Sequence, residues 1–189
     1  ERDGYEADKI RLFVMNLKTG EKKEYTKDFD QNVGSLSWAD DNTIYFISDY
    51  HATDEIYKLT LNDGKIDKLT EGVHNYTSVI PVNDYLIATK VSMSKPAEIY
   101  KVDPTTGKDT ELSFVNKGIL DQLTMGKVES RWIKTTDNKQ MLTWVIYPPH
   151  FDPNKKYPAI LYCEGGPQST VSQFWSYRWN FQMMAANGY

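Results

Sequence analysis

Three short runs rich in apolar and aromatic residues, each closed by a polar turn and a glycine, recur along the first hundred positions of the chain. Leu12-Phe13-Val14-Met15-Asn16-Leu17-Lys18-Thr19-Gly20 matches Ile56-Tyr57-Lys58-Leu59-Thr60-Leu61-Asn62-Asp63-Gly64, and again Ile99-Tyr100-Lys101-Val102-Asp103-Pro104-Thr105-Thr106-Gly107. The glycines stand 44 and 43 residues apart. Each run reads as a strand, and each glycine serves a turn because it adopts positive φ at little cost. The segments that follow, Lys22-Lys23-Glu24-Tyr25-Thr26 and Ile66-Asp67-Lys68-Leu69-Thr70, read as return strands. Between the copies, residues 33–38 and 43–48 flank the turn Ala39-Asp40-Asp41-Asn42, and residues 75–80 and 85–89 flank Pro81-Val82-Asn83-Asp84, which predicts two further hairpins. This period fits the four-stranded unit of a β-propeller, with about two and a half units visible. A propeller closes with four or more, so a larger ring or a partial stack with exposed ends is implied. A β-sandwich with evenly spaced hairpins is the alternative.

After Gly107 the pattern changes. Residues 127–136 and 139–147 alternate across Asp137-Asn138 and predict an antiparallel hairpin. Pro148-Pro149-His150-Phe151-Asp152-Pro153 cannot be a helix or a central strand, because proline lacks the backbone donor and restrains its neighbour. Ala159 to Cys163 is apolar without alternation, as expected of an interior strand covered on both faces. It empties into Glu164-Gly165-Gly166-Pro167. From Thr170 to Asn187, Phe174, Tyr177, Phe181 and Met184 fall at helical spacing, with Gly188 placed to close the last turn. The fold class is therefore mostly β with a C-terminal α/β part.

Composition narrows the function. The 189 residues and 21.8 kDa suffice for one good core or two modest ones. Twenty-two basic against 26 acidic residues, well mixed for a net charge of -4, leave no basic stripe for nucleic acid. No apolar run reaches the roughly 20 residues of a membrane span. Three scattered histidines and one cysteine have no metal-ligand spacing, and no cofactor is expected. The expected location is periplasmic or otherwise exported, with the cytoplasm as the alternative, since a single cysteine does not separate the two. Exposed strand edges make self-association plausible.

Residues 129–189 resemble the start of the catalytic domain of the prolyl oligopeptidase family of serine peptidases, in its bacterial dipeptidyl peptidase IV and acylaminoacyl peptidase branches. The likeness rests on the hairpin Trp132-Ile133-Lys134-Thr135-Thr136-Asp137-Asn138, the loop Tyr147-Pro148-Pro149-His150-Phe151-Asp152, the segment Tyr157-Pro158-Ala159-Ile160-Leu161, the Gly165-Gly166-Pro167 loop and the ending Ala185-Ala186-Asn187-Gly188-Tyr189. The family sets a propeller ahead of an α/β-hydrolase domain, which the repeat fits. The resemblance implies a partial propeller over residues 1–126, the first part of a hydrolase domain over 127–189, and short peptides as substrates. It implies a fragment of an exopeptidase that releases dipeptidyl or acyl-aminoacyl units. A non-catalytic propeller module and an esterase of the same fold are the alternatives.

In this family a serine on a nucleophile elbow attacks the carbonyl, with His as base and Asp orienting it. The chain has no Gly-x-Ser-x-Gly, so nucleophile, Asp and His are expected downstream. Ser35, Ser37, Ser48, Ser169 and Ser172 read as strand, turn or helix-start hydroxyls. His51 and His74 belong to connections and His150 to a proline loop. The oxyanion-loop candidates are Glu164, Gly165 and Gly166, because glycines let backbone N–H groups approach a developing anion closely. Glu164 stands where relatives carry a tyrosine or histidine, and a carboxylate repels an oxyanion. It is expected either to turn toward a cation such as Arg178 or a substrate amine, or to cap the following turn. Residues 1–189 alone are expected to show no turnover of peptide substrates; hydrolysis by this segment that a serine-directed covalent inhibitor abolishes would overturn the assignment.

Overall fold

The computed structural model describes residues 2–5, 7–163, 165 and 169–189. The first repeat copy forms a small hairpin, β1 (Phe13–Met15) with β2 (Lys22–Glu24). Two antiparallel meanders of four strands follow. The first is β3 (Gly34–Asp40), β4 (Thr43–Tyr50), β5 (Thr53–Thr60) and β6 (Lys65–Lys68). The second is β7 (Asn75–Val82), β8 (Tyr85–Ser92), β9 (Lys95–Val102) and β10 (Asp109–Glu111). One parallel pair, Asp54 with Asn75, joins them into an eight-stranded sheet. Gly20, Gly64 and Gly107 adopt φ of 74°, 74° and 70°, as the repeat predicts. At Gly107 a second constraint adds to the first, because a Cβ there would lie 1.9 Å from the Leu69 carbonyl oxygen.

Strand periodicity gives β4 two buried faces. Ile44 and Phe46 point to one side, where they pack with Leu12, Val33, Tyr57 and Leu59 beneath the first hairpin. Tyr45 and Ile47 point to the other, where with Ile56 of β5 they meet Tyr76, Val79, Leu86, Ala88 and Val102 of the second meander. The hairpin and the two meanders are thus stacked layers with one apolar cluster in each gap. Phe29, Phe46 and Tyr57 lock the first gap, with ring centroids 5.3 to 5.7 Å apart.

The same hydrogen bond closes each repeat copy. Thr26 Oγ1 accepts from Leu12 N at 2.8 Å, Thr70 Oγ1 from Ile56 N at 2.9 Å, and Ser113 Oγ from Ile99 N at 2.8 Å. The final strand of each copy is too short to pair with this N–H, and a hydroxyl takes its place. In the second and third copies the hydroxyl also donates. Thr70 reaches Glu55 Oε2 at 2.6 Å and Ser113 reaches Glu98 Oε2 at 2.5 Å. Glu55 and Glu98 are buried, and each precedes the residue whose N–H is closed; Arg11 holds that position in the first copy. Burial pushes the Glu98 pKa up, but donors from Ser113 and from the Val115 and Asn116 backbone outweigh it and leave the group below its ordinary value.

The C-terminal part departs from expectation. The hairpin is present as β11 (Val128–Lys134) with β12 (Gln140–Ile146). A single turn, α1 (Lys117–Leu120), precedes it. Residues 159–163, expected as an interior strand, have irregular backbone, with Leu161 82% exposed. A strand exists only as part of a ladder, and among the described residues none pairs with this segment. The helix expected over 170–187 is confined to α2 (Phe181–Ala186). Ser176 Oγ accepts from Arg178 N and Trp179 N, turning the chain, and Asn180 Oδ1 then accepts from Met183 N at 3.0 Å as N-cap. Gly188 closes the end with φ of 89°. Among the described residues no helix is long and apolar enough to cross a membrane.

The clasps generate an ordered prediction for stability. Replacing Thr70 by Val strands Ile56 N and removes a donor from a buried carboxylate, at an expected cost of about 2–3 kcal/mol; Thr26→Val strands Leu12 N alone, at about 1 kcal/mol. Urea unfolding of both variants, with the larger shift at Thr70, is the check.

Candidate functional site

Of the three predicted loop residues, Glu164 and Gly166 lie outside the described residues. Gly165 is exposed, and a Cβ built on it meets nothing within 4 Å. The site is therefore defined by its two stems. Tyr162 on the incoming side packs edge-on against Phe181, with ring centroids 5.1 Å apart, and Phe174 on the outgoing side packs on the same ring at 5.5 Å. Phe181 is buried and is the first residue of α2. Both stems consequently rest on one ring fixed by one N-cap.

Polar side chains bind these stems to the rest of the molecule. Asn75, at the start of β7, accepts from Gln173 N at 3.1 Å and donates to Ser172 Oγ at 2.7 Å. Gln173 Oε1 accepts from Met93 N in the β8–β9 turn at 3.3 Å. One residue after Phe181, Gln182 pairs with the backbone of Gly126, accepting from its N–H at 2.7 Å and donating to its carbonyl at 3.0 Å, and it also donates to Ser94 Oγ at 2.8 Å. Asn75, Gln173 and Gln182 are all buried. Gly126 has no room for a side chain, since its Cβ would lie 1.8 Å from the Tyr147 carbonyl oxygen. Residues 172–173, which follow the glycine segment in the chain, are thus held at the edge of the second meander formed by the β7 start and the β8–β9 turn.

Behind that edge is a cavity of about 350 Å³, lined in part by Asn32, Asp49, Asp54 and Tyr76. Desolvation first, then hydrogen bonding and charge repulsion from Asp49 and the charge of Glu55, raise the Asp54 pKa to about 7. His74 lies 3.4 Å from Glu55 Oε2 and edge-on to Tyr76. His51, in the β4–β5 turn, packs against Tyr50 and lies edge-on to Trp132 of β11, and His150 lines a separate cleft with Lys127, Glu129 and Tyr147. Among the described residues no group of His, Cys, Asp and Glu has the geometry of a metal centre. Ser172 is engaged by Asn75, and the Arg178 guanidinium lies over the Trp179 ring at 5.2 Å.

The sequence marks the candidate loop by its glycines and does not mark the side chains that hold the segments flanking it. In the sequence Asn75 reads as the first position of the strand 75–80, and Gln173 and Gln182 stand unmarked beside their aromatic neighbours. Their signal is two glutamines within a segment that carries a single charge, Arg178, from Thr170 to Gly188. The strand aromatics Tyr45, Phe46, Tyr57, Tyr76, Tyr85 and Tyr100 are expected in the blade core or groove: all are buried except Tyr85, which is half-buried.

No family model matches the chain. In fold it is similar to the acylaminoacyl peptidase of Pyrococcus horikoshii, with a TM-score of 0.76 and 23% identity over 95% of this chain and 27% of that one. In sequence it is 50% identical, over its whole length, to dipeptidyl-peptidase 5 of Porphyromonas gingivalis. The dipeptidyl-peptidase 5 of Porphyromonas endodontalis is 47% identical, also over the whole chain. These relatives support the resemblance of the chain to a segment of the prolyl oligopeptidase family of peptidases. The chain spans 28% of the length of these two dipeptidyl-peptidase 5 relatives.

The raised Asp54 carboxyl sets a pH dependence of stability. In the fold it keeps its proton up to about pH 7, whereas unfolded it ionises near 4. The folded state therefore binds more protons across that window, and its stability falls as pH rises from about 4 to about 7. Urea unfolding as a function of pH is expected to show this decline in the wild type and a flatter profile in Asp54→Asn.

Proposed function

We propose that this chain is a segment of a serine exopeptidase, with a partial β-propeller over residues 1–126 and the first part of an α/β-hydrolase domain over 127–189. The carrying observation is 50% identity over the entire chain to a dipeptidyl-peptidase 5. The stacked meanders and the stem-held glycine loop are consistent with that reading. In it, Glu164, Gly165 and Gly166 belong to the oxyanion loop, and backbone N–H groups rather than the Glu164 carboxylate stabilise the tetrahedral intermediate. The serine nucleophile, its histidine and its aspartate come from residues beyond this segment. The propeller restricts entry, so that short peptides reach the nucleophile and folded proteins do not.

The longer protein carrying this segment is expected to cleave dipeptidyl or N-acyl-aminoacyl amides with kcat/KM at least about tenfold above simple esters, a difference of about 1.4 kcal/mol in transition-state binding. A serine-directed inhibitor is expected to abolish the activity. Ester hydrolysis without amide hydrolysis would replace the peptidase reading with an esterase, and no hydrolysis of either with a non-catalytic module.

A further inference from the structure

Two carboxyls meet by register at the end of the β4–β5 hairpin. The connection is two residues long, and both, His51 at φ of 50° and Ala52 at 57°, are left-handed, as a type I′ turn requires. Such a turn makes Tyr50 and Thr53 a hydrogen-bonded pair. Pairs alternate along an antiparallel ladder, so the next partners, Asp49 and Asp54, are a non-hydrogen-bonded pair, whose side chains approach most closely. The Asp54 N–H consequently points away from β4, and it donates to Asn75 Oδ1 of the second meander at 3.2 Å. Strand alternation sets both carboxyls on the face of Tyr45, Ile47 and Ile56, toward the gap between the meanders, and both line the cavity of about 350 Å³ there.

We propose that Asp49 and Asp54 share one proton, and that this proton is a pH-sensitive latch on the Asp54–Asn75 junction of the two meanders. Like charges directly opposite in a ladder repel. The basic groups nearby are engaged elsewhere: His74 lies 3.4 Å from Glu55 Oε2, and Lys90 pairs with Asp109. Among the described residues neither Asp49 nor Asp54 has an ion-pair partner. A shared proton removes the repulsion, because one carboxyl then donates to the other. Asp54 is half-buried and Asp49 exposed, so the proton rests on Asp54. Its pKa of about 7 has the same origin: desolvation first, then the bond to Asp49 and the charges of Asp49 and Glu55.

The position of the pair gives the proton its effect. Asp54 with Asn75 is the one pair through which the meanders share a sheet. An ionised Asp54 faces Asp49 and Glu55 and is better placed in water, which draws its N–H off the Asn75 oxygen. The cluster behind it stays packed, since its titratable members, Tyr45 and Tyr76, are held above the ordinary tyrosine range by burial and neighbouring acids. A freed Asp54 ionises near 4, so the closed junction binds more protons between about pH 4 and 7. The latch therefore weakens as pH rises through that window and adds nothing above it.

The test is hydrogen exchange of the longer protein, with rates corrected for the intrinsic effect of pH. Protection of the Asp54 amide is expected to fall at least about tenfold from pH 5 to pH 7 and then level off, with Ile47 and Leu86 within about twofold. In Asp54→Asn the profile is expected to be flat, and a protonated-carboxyl infrared band present in the wild type at pH 5.5 is expected to be lost. Should Asp54→Asn not fold, Asp49→Asn removes the facing charge and is expected to shift the decline to lower pH. A flat Asp54 profile in the wild type, or no carboxyl band that Asp54→Asn removes, overturns the proposal. So does loss of protection at Ile47 and Leu86 in step with Asp54, which would be unfolding of the layers and not release of a junction. Recovery of Asp54 protection at pH 8 on adding magnesium or ammonium ion would replace the shared proton with a cation site.

Discussion

A buried backbone N–H must have a partner, and this requirement fixes the spacing of the whole repeat. The strand before the last in each copy begins with an amide that the short last strand does not reach. A hydroxyl fourteen residues downstream closes it at Leu12, Ile56 and Ile99. An unmet N–H costs on the order of 1–3 kcal/mol, which is large beside the marginal stability of a domain. The return strand must therefore arrive at the same place in every copy. With that place set, the layers stack in register and the Asp54–Asn75 pair follows at the one point where the meanders share a ladder. The platform under the glycine loop is built from that point outward.

The second and third copies load more onto the same device. A glutamate before the closed amide turns a neutral bond into a relay in which the hydroxyl accepts from the backbone and donates to a carboxylate. Gly72 N completes the shell around Glu55 at 3.0 Å, and Asn116 N that around Glu98 at 3.1 Å. Buried charges are tolerated when donors surround them. The relay thus ties the end of each copy to the chain that leaves it. Arg11, half-exposed, leaves the first copy with the simpler clasp.

The repeat was legible because its determinants are local. Glycine at a positive φ, an Asp or Asn turn, and side chains with a period of two depend on neighbours a few residues away. So Gly20, Gly64 and Gly107, and the hairpins around residues 33–48 and 75–89, follow from the sequence. The segment 159–163 does not, because an apolar run states that it is to be covered and not by what. The stretch before α2 failed for a different reason. Its aromatic spacing is helical, yet Ser176 and Asn180 offer the backbone local partners that end one turn and begin another. Short polar side chains outweighed a periodic stripe.

The proposed loop is marked in the sequence by its glycines, whereas the side chains that hold its flanks are not marked, and the two obey different physics. A glycine loop is marked by composition, since few other residues allow a backbone so close to a reacting group. A supporting amide is marked by nothing local: Asn75 precedes Gln173 by 98 positions, and only the fold brings its oxygen to the stem. Aromatic contacts and amide contacts also do different work there. The Phe181 ring holds Tyr162 and Phe174 through area, which tolerates sliding. Hydrogen bonds at 2.7 and 3.1 Å do not tolerate it, because their strength depends on distance and direction. Rings thus bring Tyr162 and Phe174 together, and amides hold Ser172 and Gln173 to the sheet. Asn75 also pairs with Asp54 where the meanders join, so the place of residues 172–173 is set at the point where the two layers meet.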